Sequence, residues 1–356
     1  RTMSDVVLFE ERPAENGFIG HATLNRPEKL NTLTTEMIAL LHQRFSVWAD
    51  DPACKAVFLD GAGEKAFCAG GDVVAVTTDP SPDMAVGREF FKTEYDLNFF
   101  MHTFPKPMLV WGGGICMGGG FGLLQGSSTR IVSDTSRLAM PELAIGFHPD
   151  VGGSWFLQRV SAPLGEVIAL TGVHFSGADA VELGLADVLV ANDAKGAILE
   201  ALSATDWSEH ARANRAFAEA AVRGVAAAQP PAVSYKMMPH RDRLAACMHT
   251  PYFQERWDNL VALAQDEDPF LKRVGEGTSH GSPASAFVVQ SFFQHMRHAG
   301  LRDCLDAELA LSLNLLEHGD FREGVRALLV DKDRSPDWAF KAIREVHIDW
   351  MGKVLP

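Results

Sequence analysis

Apolar and polar residues fall along this chain in short strand-like runs first and in long helical periods later. The runs Val6–Glu11 and Phe18–Asn25 flank the turn residues Pro13-Ala-Glu-Asn-Gly17, which predicts an opening β-hairpin. A polar loop from Arg26 to Asn31 follows. Met37, Leu41, Phe45 and Trp48 then recur at helical spacing behind Thr34 and Thr35, either of which can cap that helix. Ala56–Leu59 reads as a short strand leading into Lys65–Asp72, a small-residue loop that runs into a helix capped by Asp72. A long helix is predicted over Asp83–Phe104 from Phe90, Phe91, Leu97, Phe100 and Met101. Glu94 and Tyr95 fall at its middle, and Pro105 and Pro107 stop it.

Met108–Trp111 is predicted as a buried strand delivering a glycine-packed turn. Arg130–Ser133 and Arg137–Met140 are predicted as two more strands, the last ending at Pro141-Glu142. Strand-strand-helix units thus recur. Helices over Gly153–Val160, Leu164–Leu170 and Gly177–Leu183 precede a last strand at Asp187–Val190. From Lys195 onward the pattern is helical only: Lys195–Leu202, Glu209–Val225, Pro251–Leu263, Ser285–Met296 and Leu301–His318. Breaks are expected at Gln229–Ser234 and Gly275–Pro283. In the last helix Leu305, Leu309, Leu313 and Leu316 are expected to share the packed face. A chain of 356 residues is long for one core, so the expectation is an α/β core over 3–194 and a helical region over 195–356. That region would pack against the core or another subunit.

Charge narrows the partners. A net charge of −14 argues against nucleic acid and anionic membrane surfaces, so an anionic ligand must be held by local groups. The five cysteines lie far apart without a CxxC pair, which fits reduced thiols in a cytoplasmic setting rather than disulfides or zinc. No secretory signal pattern opens the chain. The uncharged run Pro107–Thr129 has the length of a membrane span, but eight glycines interrupt it.

Candidate chemistry concentrates between Gly112 and Leu157. Gly118, Gly119, Gly120 and Gly122 let the backbone approach a ligand and open a helix whose first N–H groups point outward, a turn suited to an anion. If that anion is a developing oxyanion, a second N–H donor and a carboxylate are needed. The Lys65–Asp72 loop can supply the first, and Glu142 with Asp150 the second.

AFCAGGD, GICMGGG and AMPELAIGFHPDVGG together resemble the crotonase superfamily, also called enoyl-CoA hydratase/isomerase. The FFKTEYDLN and EGVRALLVDKDRSPDW segments, with Glu142 and Asp150, are similar to its 3-hydroxyisobutyryl-CoA hydrolase branch, a step of valine catabolism. The resemblance implies a crotonase-like α/β fold and an acyl-CoA substrate whose CoA is no separate cofactor. It implies oxyanion N–H groups at Gly71 and Gly119, and substrate contacts at Glu94, Gly119, Glu142 and Asp150. It places CoA along Glu28, Leu30, Ala66, Ala69, Gly71 and Asp72, and suggests a homo-trimer or hexamer. Hydratases of the superfamily use two glutamates. One of those positions is Gly122 here, and Asp150 stands where hydratases commonly carry glycine, which moves the implied reaction from hydration to thioester hydrolysis. His148 departs from the aromatic residue usual in that branch.

Rival readings attach to single features. Gly277-Thr-Ser-His-Gly281 matches the G-x-S-x-G elbow of serine esterases, but no apolar strand precedes it and Pro283 follows. His295 with His298, or His148 near Asp150, lacks a third metal ligand at a recognised spacing, so no metal is expected. An enoyl-CoA hydratase/isomerase and a non-catalytic acyl-CoA binding protein remain the alternatives. Asp150 as a plain helix cap and Glu94 as a solvated glutamate are the ordinary explanations of those residues.

Overall fold

The computed structural model describes residues 6–356, so residues 3–5 of the expected core lie outside the described residues. The chain forms two compact units. One takes residues up to Gly71, then Asp96–Leu138 and Phe175–Tyr235; the other takes Asp72–Tyr95, Ala139–His174 and Lys236–Pro356. Compactness therefore divides the chain differently from a single cut after residue 194.

The first unit is built on strands. The hairpin of β1 (Val7–Ala14) and β2 (Gly17–Leu24) pairs Val7 with Leu24 and Ala14 with Gly17. The later strands are β3 (Cys54–Gly61), β4 (Ala66–Cys68), β5 (Met108–Trp111), β6 (Ile115–Met117), β7 (Thr129–Ser133), β8 (Arg137–Ala139), β9 (Phe175–Ser176) and β10 (Val188–Val190). They form one sheet in the order β1-β2-β3-β5-β7-β10 and a second in the order β4-β6-β8-β9. After the hairpin, every pair in the larger sheet is parallel. Each repeat sends one strand to each sheet before its helix: β5, β6 and the helix Gly119–Gln125 make one such unit. Ile19, Phe58, Leu109, Ile131 and Val188 are sealed by Ile198, Leu202, Ala218 and Val222. Those last four lie on the helices Lys195–Ser203 and Ala211–Ala228, and full burial of Ile198, Leu202 or Val222 stabilises by about 1.5–3 kcal/mol each.

Local signals set the element ends. Thr34 caps the helix Thr35–Asp50 by accepting from the Met37 N–H at 3.2 Å. Asp72 does occupy the N-cap position of the helix Val73–Thr78, but its side chain makes no capping bond there. The expected glycine turn contains a strand that the glycines hide: Ile115–Met117 pairs in parallel with β4, and the pairing overrides weak local propensity.

The second unit is helical. It holds the part of the helix Ala85–His102 up to Tyr95, the 3₁₀ turn Glu142–Ile145, and the helices Leu164–Thr171, Pro269–His280, Pro283–Met296 and Leu301–His318. Of the expected break at Gly275–Pro283, only Gly281 and Ser282 separate two helices; the rest is mainly the last turns of the helix Pro269–His280, whose N-cap Asp268 accepts from Phe270 N at 2.9 Å and Leu271 N at 3.1 Å. Gly275 inside it is a packing residue, since a Cβ there would lie 1.9 Å from the Ala264 nitrogen. An aromatic stack runs through the core: Phe91 lies 5.4 Å from Phe147, and Phe147 lies 4.2 Å from Phe321. Among the described residues, no helix is long and apolar enough to cross a membrane.

Candidate active site

The two expected oxyanion donors lie in the first unit at matching places. Cys68 of β4 and Cys116 of β6 are partners in register, and Gly71 and Gly119 each follow three residues later, past the same ends of adjacent parallel strands. Gly71 bridges Leu33, but the Leu33 N–H donates to the Gly70 carbonyl at 2.8 Å, and a parallel bridge of this kind leaves the N–H of Gly71 itself unused. Gly119 is the first residue of the helix Gly119–Gln125, where N–H groups have no intrahelical acceptor. Its N-cap, Gly118, has φ 52° and ψ −121°, a conformation open to glycine and closed to side chains. Both loops therefore present backbone N–H groups, as an anion site requires.

The carboxylates gather in the second unit. Glu94, Glu142 and Asp150 are all buried, at 3%, 5% and 6% exposure, which removes the solvated-helix explanation of Glu94. Both oxygens of Glu142 and Oε1 of Glu94 have no hydrogen-bond partner. Burial first, then the Asp150 charge, push the Glu142 and Glu94 carboxyls well above the usual carboxylate range. Asp150 differs because the Tyr95 hydroxyl donates to its Oδ2 at 2.6 Å. Burial pushes Asp150 up to about 7, with the Tyr95 bond working the other way. Among the described residues no cation is ion-paired with any of them.

Two residues that sequence reading missed complete this cluster. Glu308, fully buried, accepts from Gly152 N at 2.8 Å, Ser154 N at 2.9 Å and Ser154 Oγ at 2.7 Å. It thereby does the capping that Asp150 would do as an ordinary helix cap; the N-cap position of the helix Gly153–Phe156 belongs to Gly152. Burial raises Glu308 to about 8 despite those three donors. Ser312, one turn further along the same helix, lies 2.6 Å from Tyr95 Oη and 2.8 Å from His148 Nε2. Burial pushes His148 down to about 3, so its ring is neutral. The turn between these groups is strained: Val151, a β-branched residue, sits at φ 51°.

Two of the six expected CoA contacts, Leu30 and Ala66, line a cleft of about 340 Å³ in the first unit, with Pro27, Asn31, Ala62, Gly63, Glu64 and Lys65. Glu28 is exposed on the 3₁₀ turn Pro27–Lys29, and Ala69 N donates to Leu30 O at 3.0 Å. The G-x-S-x-G serine is not a nucleophile elbow: Ser279 is exposed on a helix and donates to Glu276 O at 2.7 Å. Among the described residues no group of three or more His, Cys, Asp or Glu could hold a metal. None of the five cysteines is in a disulfide, and all are buried.

The family model for enoyl-CoA hydratase/isomerase matches residues 19–355. A mitochondrial 3-hydroxyisobutyryl-CoA hydrolase of Xenopus laevis is 33% identical over 335 residues, covering 94% of this chain and 86% of the relative. Among solved structures, a carnitinyl-CoA dehydratase from Mycobacterium thermoresistibile superposes with a TM-score of 0.85 at 32% identity, covering 99% of this chain and 97% of that one. An enoyl-CoA hydratase from Rhodobacter sphaeroides superposes at 0.84 and 30% identity, covering 98% and 97%. The α/β architecture, the glycine loops and these matches agree: the chain belongs to the crotonase, or enoyl-CoA hydratase/isomerase, family, and is an acyl-CoA-processing enzyme with the crotonase fold.

Proposed function

We propose that the protein hydrolyses a short branched 3-hydroxyacyl-CoA thioester, of the 3-hydroxyisobutyryl-CoA class, to the free acid and CoA. The observation that carries this reading is the buried pair of Glu142 and Asp150, with Asp150 held by Tyr95 and with glycine at 122. Hydration across a double bond calls for a second glutamate at position 122; hydrolysis calls for an acid and a base at one carbonyl.

In this reading the N–H groups of Gly71 and Gly119 receive the oxyanion, each contributing about 10²–10³ in rate. Of Glu94, Glu142 and Asp150, only Asp150 is held by a side-chain donor, the Tyr95 hydroxyl, so in this reading it takes the proton of the attacking water. Glu142, with no donor and with its carboxyl pushed well up by burial, is the acid that gives a proton to the departing CoA sulfur. Water thus gives its oxygen to the acid, the sulfur leaves as a thiol, and a proton passing from Asp150 to Glu142 resets the pair. Glu94, buried beside them, orients the acyl chain, and CoA lies along the cleft at Leu30 and Ala66.

The dehydratase and hydratase names of the two solved relatives favour a second reading, reversible hydration of an enoyl-CoA. Purified protein given 3-hydroxyisobutyryl-CoA and, separately, crotonyl-CoA separates the two. Release of titratable thiol from the first supports hydrolysis. Rapid loss of the enoyl absorbance of crotonyl-CoA without thiol release sinks it.

A further inference from the structure

The hydrogen bonds behind Asp150 run through more groups than a base needs. Tyr95 Oη lies 2.6 Å from Asp150 Oδ2 and 2.6 Å from Ser312 Oγ, and Ser312 Oγ lies 2.8 Å from His148 Nε2. All four residues are buried, and His148 Nδ1 has no hydrogen-bond partner. The geometry points to Tyr95, Ser312 and His148 as positioning residues for Asp150: they form one chain of hydrogen bonds with two polarities, one fitted to the Asp150 anion and the other to its acid, so that the tautomer of His148 follows the proton of Asp150. The catalytic consequence rests on the proposed hydrolase reading; the chain itself does not.

The two polarities follow from donor counting. An ionised Asp150 only accepts, so Tyr95 must donate to it. The Tyr95 oxygen is then left to accept from Ser312, and Ser312, its hydrogen used, accepts from His148, which must be the Nε2–H tautomer. An Asp150 acid with its hydrogen on Oδ2 donates to Tyr95, Tyr95 donates to Ser312, and Ser312 donates to His148 Nε2, whose ring hydrogen is then on Nδ1. The second state holds one hydrogen more than the first. That hydrogen is the proton Asp150 has taken up, so the balance closes without any redox partner. In a buried site a mismatched link leaves a donor facing a donor or an acceptor facing an acceptor, which biases the chain towards moving as a unit.

The surroundings place all nearby charge at one end. Glu94 from the helix Ala85–His102, Glu142 from its 3₁₀ turn and Glu308 from the helix Leu301–His318 face Asp150. His148 packs against the rings of Phe147 at 4.7 Å and Phe292 at 6.1 Å, with the Pro149 backbone beside it. A neutral imidazole there has no charge to trade, so moving its hydrogen between ring nitrogens is its available response.

The test is a titration of the whole protein carrying ¹⁵N-histidine and ¹³C-carboxyl aspartate, read by NMR. In the wild type, the His148 ring nitrogens should exchange roles, Nδ1–H at low pH and Nε2–H at high pH, at the midpoint where the Asp150 carboxyl ionises. S312A should abolish the tautomer change while Asp150 still titrates, S312T should restore it, and the acid limb of the S312A pH–rate profile should move by about one pH unit at unchanged KM. A His148 ring held in one tautomer across the range, whether or not Asp150 titrates, overturns the proposal, as does a tautomer change that survives in S312A. If S312A does not fold, H148F serves: an Asp150 midpoint identical to wild type overturns the proposal, and a displaced one supports it. Linked titration without thiol release from any acyl-CoA would end the hydrolase reading and leave the chain standing.

Discussion

Ser154 gives both its backbone N–H, at 2.9 Å, and its hydroxyl, at 2.7 Å, to one oxygen of Glu308. The other oxygen takes Gly152 N at 2.8 Å, so a residue of the helix Leu301–His318 fixes the turn that carries Asp150. Removing the acceptor leaves buried donors unpaired. Glu308→Ala is expected to cost more than about 3 kcal/mol, at about 1–3 kcal/mol for each orphaned donor, and Glu308→Gln about half as much because its amide oxygen still accepts. Denaturant melts of both variants check the ranking; equal stabilities would contradict it.

Stability should fall as the pH rises. Glu308 titrates at about 8 in the fold against 4.5 for an ordinary glutamate, and Asp150 at about 7 against 3.8. Across that window the folded chain holds protons that the unfolded chain has lost, so the contribution is fully present below the ordinary values and lost as pH passes the raised ones. Thermal melts from about pH 5 to about pH 8.5 should show a steady decline that Glu308→Gln flattens in part. A rise over the same range would refute the raised pKa values of these two carboxyls.

Glu142→Gln should separate catalysis from folding. A glutamine resembles the neutral form that burial favours at Glu142, so the melting temperature should stay close to wild type, while acid catalysis falls by about 10²–10⁴-fold. Retained acyl-CoA binding, measured by calorimetry, would show that the loss is chemical. Retained turnover would remove Glu142 from the mechanism.

Much of this was legible in sequence, and the reasons for the rest are physical. Pro and Gly punctuation located the opening hairpin and the two N–H-bearing loops, because turns depend on local backbone freedom. Glu142 and Asp150 stood out through the AMPELAIGFHPDVGG segment, which carries the family resemblance. Glu308 and Ser312 did not, because their partners Gly152, Ser154 and His148 lie more than 150 residues away, as the separations of 156, 154 and 164 record. The leucine spacing caught only part of the packed face of that helix, since Leu305 and Leu316 are buried. Leu309 and Leu313 are only half-buried, and the buried face runs through Cys304, Glu308, Leu311, Ser312 and Leu315. Polar residues four apart inside an otherwise apolar stripe were the available signal. β6 was hidden because pairing with β4, not the propensity of its own three residues, makes it a strand.

Tyr95→Phe removes the donor that favours ionised Asp150. The Asp150 pKa should rise, by about one unit for a lost charge-assisted bond, and the acid limb of the rate profile should move to higher pH with it. A profile unchanged by the substitution would show that Asp150 is not the group that titrates.

The central claim, thioester hydrolysis with Asp150 as the base and Glu142 as the acid, is tested most directly by kcat/KM for thiol release from 3-hydroxyisobutyryl-CoA as a function of pH, since that parameter reports the ionisations of the free enzyme. The account predicts thiol release that rises about tenfold per pH unit below about 7, levels above it, and declines only when Glu142 loses its proton at higher pH. No thiol release at any pH, or release that does not vary below neutrality, would contradict it.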